Sequence, residues 1–310
     1  MSTIIPSFEL LFSIIFFACI FRYYYLGELW KLAEMLSIVA FTIILEYLSI
    51  KIYDAYSYSS SFVIKLGNPP NSVPIVIALA WSIIISTSMN LTDKTNLSAI
   101  KMPFLDTLNA LIIDLSMDAV AIRIDGGLWS WHKVISNQIT FDSYLGVRYG
   151  NFIGWYLIVL IFSFLLRYAR SEFQLRPKIR GVYLSIIPML AFIPFYAIFQ
   201  TIQFGKTLIN VRFYFPFVTL LLVIVSYMVI NSKGNKLKLK SEDISLFDLG
   251  IFYCFHVFFF FSLIFLKMYQ SAPLLLLSSI LSVIIHSLVY RIGAIDSNDH
   301  VFEQFEILSI

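Results

Sequence analysis

The segment LIIDLSMDAVAIRIDGG, residues 111–127, sets Asp114, Asp118 and Asp125 among residues that suit lipid. Each residue of a helix advances about 100°, so Asp114 and Asp118, one turn apart, face the same way. Asp125 returns to that face if the helix continues, while Arg123 points elsewhere. Carboxyl groups in a membrane segment are costly and usually face the bundle interior or a wet cavity. Two of them one turn apart in a low dielectric resist double ionisation, which leaves a proton shared between them. Such a pair can act as a general acid beside an ionised neighbour. A purely structural reading stands beside this one, with the aspartates bonded to neighbouring helices or paired with Arg123, Arg148 or Lys51. The spacing also admits Mg²⁺, but histidine gives no support. His132 is isolated, and His256 and His286 lie in apolar runs that suit packing or a neutral hydrogen bond. No metal site is assigned.

Glu46, in ILEYLSIKIYDAYSYSSSF, is the second charge out of place. It shares a helix face with Tyr53, with Lys51 off that face, and Tyr56 and Tyr58 follow in a polar stretch. One reading is an interfacial aromatic belt with a snorkelling acid. The other makes Glu46 and the tyrosines the wall opposite the aspartates.

Those acids need a scaffold, and composition supplies its class. The 310 residues are 59% hydrophobic, 17% aromatic and only 13% charged, against about a quarter charged in soluble domains. Apolar runs approach the roughly 20 residues that cross a bilayer as a helix. The chain reads as all-α, a polytopic transmembrane helix bundle of about 8–9 helices in a single integral membrane domain, residues 1–310. Segments are drawn at about 7–22, 31–51, 73–89, 103–123, 151–169, 181–203, 212–231, 246–267 and 272–291. The first and third are short, and one of them is a candidate for an interfacial or re-entrant segment. Residues 292–310 form a polar, acidic tail. Pro188 and Pro194 should kink the sixth segment, which membrane helices tolerate. Cys19 and Cys254 read as packing residues, and the N-terminus carries no removable signal peptide pattern. No basic stripe with interleaved aromatics points to nucleic acid.

Loop charge sets an expected orientation in the cytoplasmic membrane. Arg167, Arg170, Arg176, Lys178 and Arg180 follow segment five, and Lys233, Lys236, Lys238 and Lys240 follow segment seven. Positive loops stay cytoplasmic. Nine crossings then put the N-terminus outside, the C-terminus inside, and loops 52–72 and 124–150 on the outer face.

The order of motifs resembles the carotenoid biosynthesis membrane proteins that include carotenoid 1,2-hydratases and bisanhydrobacterioruberin hydratase. The match runs through Glu46, Tyr58, Val73, Pro74, Trp81, Asp114, Asp118, Val120, Ala121, Trp129, Trp131, Tyr144, Gly146, Val147, Asn151, Phe152, Gly154 and Trp155, within residues 40–160. The string YLGVRYGNFIGWY is its most specific part. Ala119 and Arg148 stand where the family tends to have proline, and Tyr53, Asp54 and Ser57 replace expected glycines.

The resemblance implies addition of water to the terminal C=C of an acyclic carotenoid end group, with no cofactor. Asp114 or Asp118 delivers the proton and the other carboxylate stabilises positive charge. Glu46, Asn151 or Tyr58 positions the water. Trp129, Trp131, Tyr144 and Trp155 offer π faces to the tertiary cation. The partners implied are a carotenoid or other isoprenoid lipid substrate, entering sideways between helices, and membrane lipids. Two other readings stay open. One is a proton-coupled transporter or lipid-binding membrane protein, with Asp114 and Asp118 as ion sites. The other is a UbiA-like prenyltransferase, although its second Asp-rich motif is missing.

Overall fold

A computed structural model describes residues 3–124, 127–132, 138–172, 176–232 and 245–288. Asp125, the lysines at 233–240 and the tail at 292–310 fall outside the described residues. Nine helices occur among those described. They are α1 (Ile4–Tyr25), α2 (Leu29–Tyr53), α3 (Ile75–Thr92), α4 (Met102–Ala121), α5 (Tyr149–Glu172), α6 (Pro177–Ile209), α7 (Tyr214–Asn231), α8 (Leu246–Phe265) and α9 (Pro273–Leu288). Seven of them, all but α4 and α9, are long and apolar enough to cross a membrane. The all-α bundle expected from composition is present. Neither the first nor the third segment is short: they form helices of 22 and 18 residues. The sixth extends to 33 residues despite its two internal prolines.

Sequence explains which helices sit in the middle. Almost every side chain of α3 and most of α4 are buried. These two pack on each other and are wrapped by α1, α2, α5, α7 and α8, while α6 packs on α2 and α5. The central helices are the ones that carry small and polar residues, such as Ser82, Ser86, Ser88 and Asn90 on α3 and Asp106, Asn109 and Asp114 on α4. Such residues allow close approach and hydrogen-bond across helices. By contrast α7, which buries only Ser226 and Ile230, is apolar all round.

One end of the bundle is tied by charge. Arg167 of α5 reaches Asp106 of α4 at 2.9 Å and also pairs with Asp93. Arg170 pairs with Glu34 of α2 and with Asp93, each at 2.7 Å. Arg22 bridges α1 to Asp248 of α8 at 3.2 Å, and Asn90 donates to the same carboxylate. Lys101 caps α7, donating to the carbonyls of Ile230 and Ser232. Near the middle, His286 bonds the carbonyl of Asn109 at 3.1 Å and His256 at 2.7 Å, tying α9 and α8 to α4. Both rings serve as structural hydrogen-bond bridges.

The opposite end is closed by short antiparallel ribbons. β1 (Tyr56–Tyr58) pairs with β4 (Trp129–Trp131), β2 (Lys65–Leu66) with β3 (Val73–Pro74), and β5 (Ser143–Tyr144) with β6 (Val147–Arg148). The last pair turns through Leu145 and Gly146, both at positive φ, the geometry of a two-residue hairpin that favours glycine. The Y-x-G-V string is therefore a turn. Glu9 of α1 accepts from the backbone N–H of Val63 and Ile64 and anchors the loop between β1 and β2. α4 stops at Ala121. His132 is not isolated: its Nδ1 lies 2.8 Å from Asp54 Oδ1.

Removing one partner of a buried ion pair leaves an uncompensated charge, at a cost of about 3–5 kcal/mol. Arg167→Gln strands Asp106, which is fully buried. A drop in detergent-unfolding stability of that order is expected for Arg167→Gln, with partial recovery in Arg167→Lys. An unfolding midpoint equal to wild type would show that the network contributes no net stability.

Candidate active site

A cavity of about 500 Å³ opens at the ribbon end. Its walls come from α2, α3, α4, α5 and α6, and the β1–β4 ribbon covers it. Glu46 and Asp118 both line it, although their helices are distant in sequence. Tyr58, Trp129, Trp131, Asn151 and Trp155 line it as well. Two candidate residues lie elsewhere. Asp114 is fully buried behind Asp118, and Tyr144 turns away to bond Ser278 of α9 at 2.5 Å.

Each acid is held by donors. Glu46 Oε2 accepts from the hydroxyls of Tyr56 and Tyr58, the latter at 2.7 Å. Glu46 Oε1 accepts from Trp81 Nε1 at 3.2 Å. Hydrogen bonds to a charged group contribute about 1.5–3 kcal/mol each. Together they offset part of the cost of burying an acid in a membrane protein. On the other wall, Asn151 Nδ2 bridges the aspartates, donating to Asp118 Oδ2 at 2.6 Å and Asp114 Oδ2 at 3.1 Å. Asn151 sits inside the first turn of α5. Asp114 Oδ1 is buried with no hydrogen-bond partner.

The cations considered as partners of the aspartates are engaged with other groups. Arg123 donates to the carbonyls of Ala119 and Leu145, Arg148 to the carbonyl of His132, and Lys51 to Tyr47.

The aromatic wall follows from strand register. Tyr56 faces Trp131 and Tyr58 faces Trp129 across the antiparallel pair, with ring centroids 4.9 and 6.1 Å apart. Such cross-strand aromatic pairs stabilise a ribbon. Here they fix two tyrosine hydroxyls on Glu46 and two indoles on the cavity. Trp131 Nε1 is buried without a partner. On the helical side Trp81 stacks on Trp155, centroids 3.7 Å apart at 19°. This stack links the Glu46 cluster to α5, which also carries Asn151.

Sequence reasoning missed Trp81 as a site residue, although its place in the motif order was noted. Beyond residue 160 it named no chemistry, although Gln200 and Gln203 are polar enough to line a cavity. In the structure Phe192, Phe195, Tyr196, Phe199, Gln200 and Gln203 of α6 complete the wall. Their i, i+3, i+4, i+7 spacing marks one helix face without showing what that face meets. Gly150 and Gly154 of α5 face open space. A Cβ at either meets nothing within 4 Å, and both line the cavity.

Fold and site together define an integral membrane protein built around a buried acidic and aromatic cavity. The chain belongs to the carotenoid biosynthesis protein family, whose model matches residues 8–212. It therefore has a role in carotenoid biosynthesis, and an isoprenoid-type lipid is its substrate class. The matched span is wider than the 40–160 motif region and contains every residue lining the cavity, from Phe8 to Gln203. No curated protein and no solved structure matches the chain.

Burial and the Glu46 charge push the phenols of Tyr56 and Tyr58 well above the ordinary tyrosine range. The unfolded chain then releases these protons first, near pH 10. Their contribution to stability is complete below pH 10 and is lost as pH rises toward the folded-state values. Between about pH 9 and 11, wild type should lose more thermal stability than Tyr56→Phe/Tyr58→Phe. Parallel losses would contradict the placement of both hydroxyls on Glu46.

Proposed function

We propose that this chain is a carotenoid hydratase that adds water to the terminal C=C of an acyclic carotenoid. The observation that carries the reading is the meeting of Glu46 and Asp118 on one buried, aromatic-walled cavity. One carboxyl group is needed to give a proton and a second to take one. Both must be kept from bulk water so that the cation between them is captured only by a held water.

The roles follow from the bonding. Asp118 lines the cavity with Asp114 one turn behind it, and the pair shares one amide donor. Asp118 donates its proton to the less substituted carbon of the double bond, whose π electrons form the new C–H bond. Charge develops on the tertiary carbon, beside the faces of Trp81, Trp155, Trp129 and Trp131. Cation–π attraction strengthens when the partners are desolvated. Glu46, surrounded by three donors, is arranged as an acceptor. A water held beside it attacks the cation and gives its proton to Glu46. Substrate plus water equals product, and proton return from Glu46 to Asp118 resets the site. Asn151 and the tyrosines hold the carboxyl groups in place; electrostatic preorganisation of this kind is a large part of catalysis.

The charge pattern supports an orientation with the end bearing Arg167, Arg170, Arg176, Lys178 and Arg180 in the cytoplasm. The cavity then lies in the outer half of the cytoplasmic membrane. The transporter and prenyltransferase readings draw on the same aspartates, but neither uses the aromatic wall or the Glu46 cluster.

Loss of a general acid or base costs about 10²–10⁴-fold in rate. Asp118→Asn, Asp114→Asn and Glu46→Gln should each abolish the product heavier by one water, in membranes that contain normal amounts of protein. Wild-type turnover in any of the three would remove that residue from the mechanism. Gly154→Leu starts from a Cβ position in open space, extends into the cavity, and replaces a helix-interior glycine, a change that favours helix stability by about 0.5–1 kcal/mol. It should keep or raise the melting temperature while product falls. Full activity in Gly154→Leu would mean that the substrate is not held in this cavity.

A further inference from the structure

We infer that the cleft between α2 and α6 is a lateral portal. One end of a linear isoprenoid occupies the cavity, while the rest of the same molecule runs out past Ile52 and Tyr196 into lipid. The inference rests on the hydratase reading for the identity of the enclosed end and adds where the remainder lies.

A linear isoprenoid that reacts at one end inside an enclosed site needs a way out for the rest of its chain.

The helices supply the path. α2 and α6 are joined at their first halves, where Ser37 donates to the carbonyl of Leu184 at 2.8 Å. That carbonyl is available because Pro188, four residues on, has no N–H to offer it. Beyond this pin the cavity lies between the two helices, lined by Leu48, Ser49 and Ile52 on one side and by Phe192, Tyr196 and Phe199 on the other. Ile52 and Tyr196 line the cavity and yet are 61% and 45% exposed, so they stand at its mouth. The mouth opens on the apolar flank of α6, where Met189 and Ile193 are exposed. Phe192 stacks on Tyr196 and Phe195 on Phe199, with centroids 6.0 and 5.7 Å apart. The result is a flat aromatic track suited to a conjugated chain.

The test places a diazirine-bearing phenylalanine at position 196, or at exposed position 217 on α7, in full-length protein in liposomes. Each sample is illuminated with an acyclic carotenoid and the adduct is measured by mass. Bound substrate is locally concentrated, so roughly tenfold more adduct is expected at 196 than at 217. Hydration by wild type without preferential adduct at 196 overturns the portal and leaves the hydratase reading intact. Adduct at 196 without hydration supports the portal and overturns the hydratase reading. Neither adduct nor hydration overturns both.

Discussion

A carboxylate within a lipid-crossing helix must be given donors by other parts of the chain, and Glu46 is given three. Tyr56 and Tyr58 come from the β1–β4 ribbon and Trp81 from α3. Meeting that requirement builds much of the site. The ribbon is drawn over the cavity because its hydroxyls belong on Glu46. Trp81 is fixed by the same carboxylate and passes the constraint to Trp155 by stacking. α5 then carries Asn151 to the aspartates of α4. One chain of contacts thus runs from the Glu46 wall to the Asp118 wall.

The two ends of the bundle divide the labour. At one end, arginines and acids pair closely and hold α1, α2, α3, α4, α5 and α8 in register. At the other, the acids accept from neutral donors, Tyr, Trp and Asn. Buried charge pairs suit structure, because breaking them is costly. Acids held by neutral donors keep their proton chemistry available. α4 carries both kinds, Asp106 at the locked end and Asp114 with Asp118 at the open one, and it is central for that reason.

Much of this was legible in the sequence. Hydrophobic length gave the helices, and the i, i+4 spacing of Asp114 and Asp118 gave their common face. Local spacing could not show that Tyr56–Tyr58 and Trp129–Trp131 pair as strands, because the two short segments meet only in three dimensions. Asp114 and Asp118 look equivalent on a helical projection. Packing separates them, so that one lines the cavity and the other backs it. Tyr144 matched a motif whose sequence requirement is set by the Leu145–Gly146 turn. The part played by α6 was hidden because an apolar aromatic face reads the same toward lipid or toward a cavity.

The central claim is that water adds across a carbon–carbon double bond between Asp118 and Glu46. The most direct measurement is mass analysis of an acyclic carotenoid incubated with the purified protein in liposomes prepared in ¹⁸O- and deuterium-labelled water. The account predicts a product carrying one labelled oxygen on the tertiary carbon and one non-exchangeable deuterium on its neighbour. A recovered carotenoid with neither label, from protein that is folded and binds it, would contradict the account.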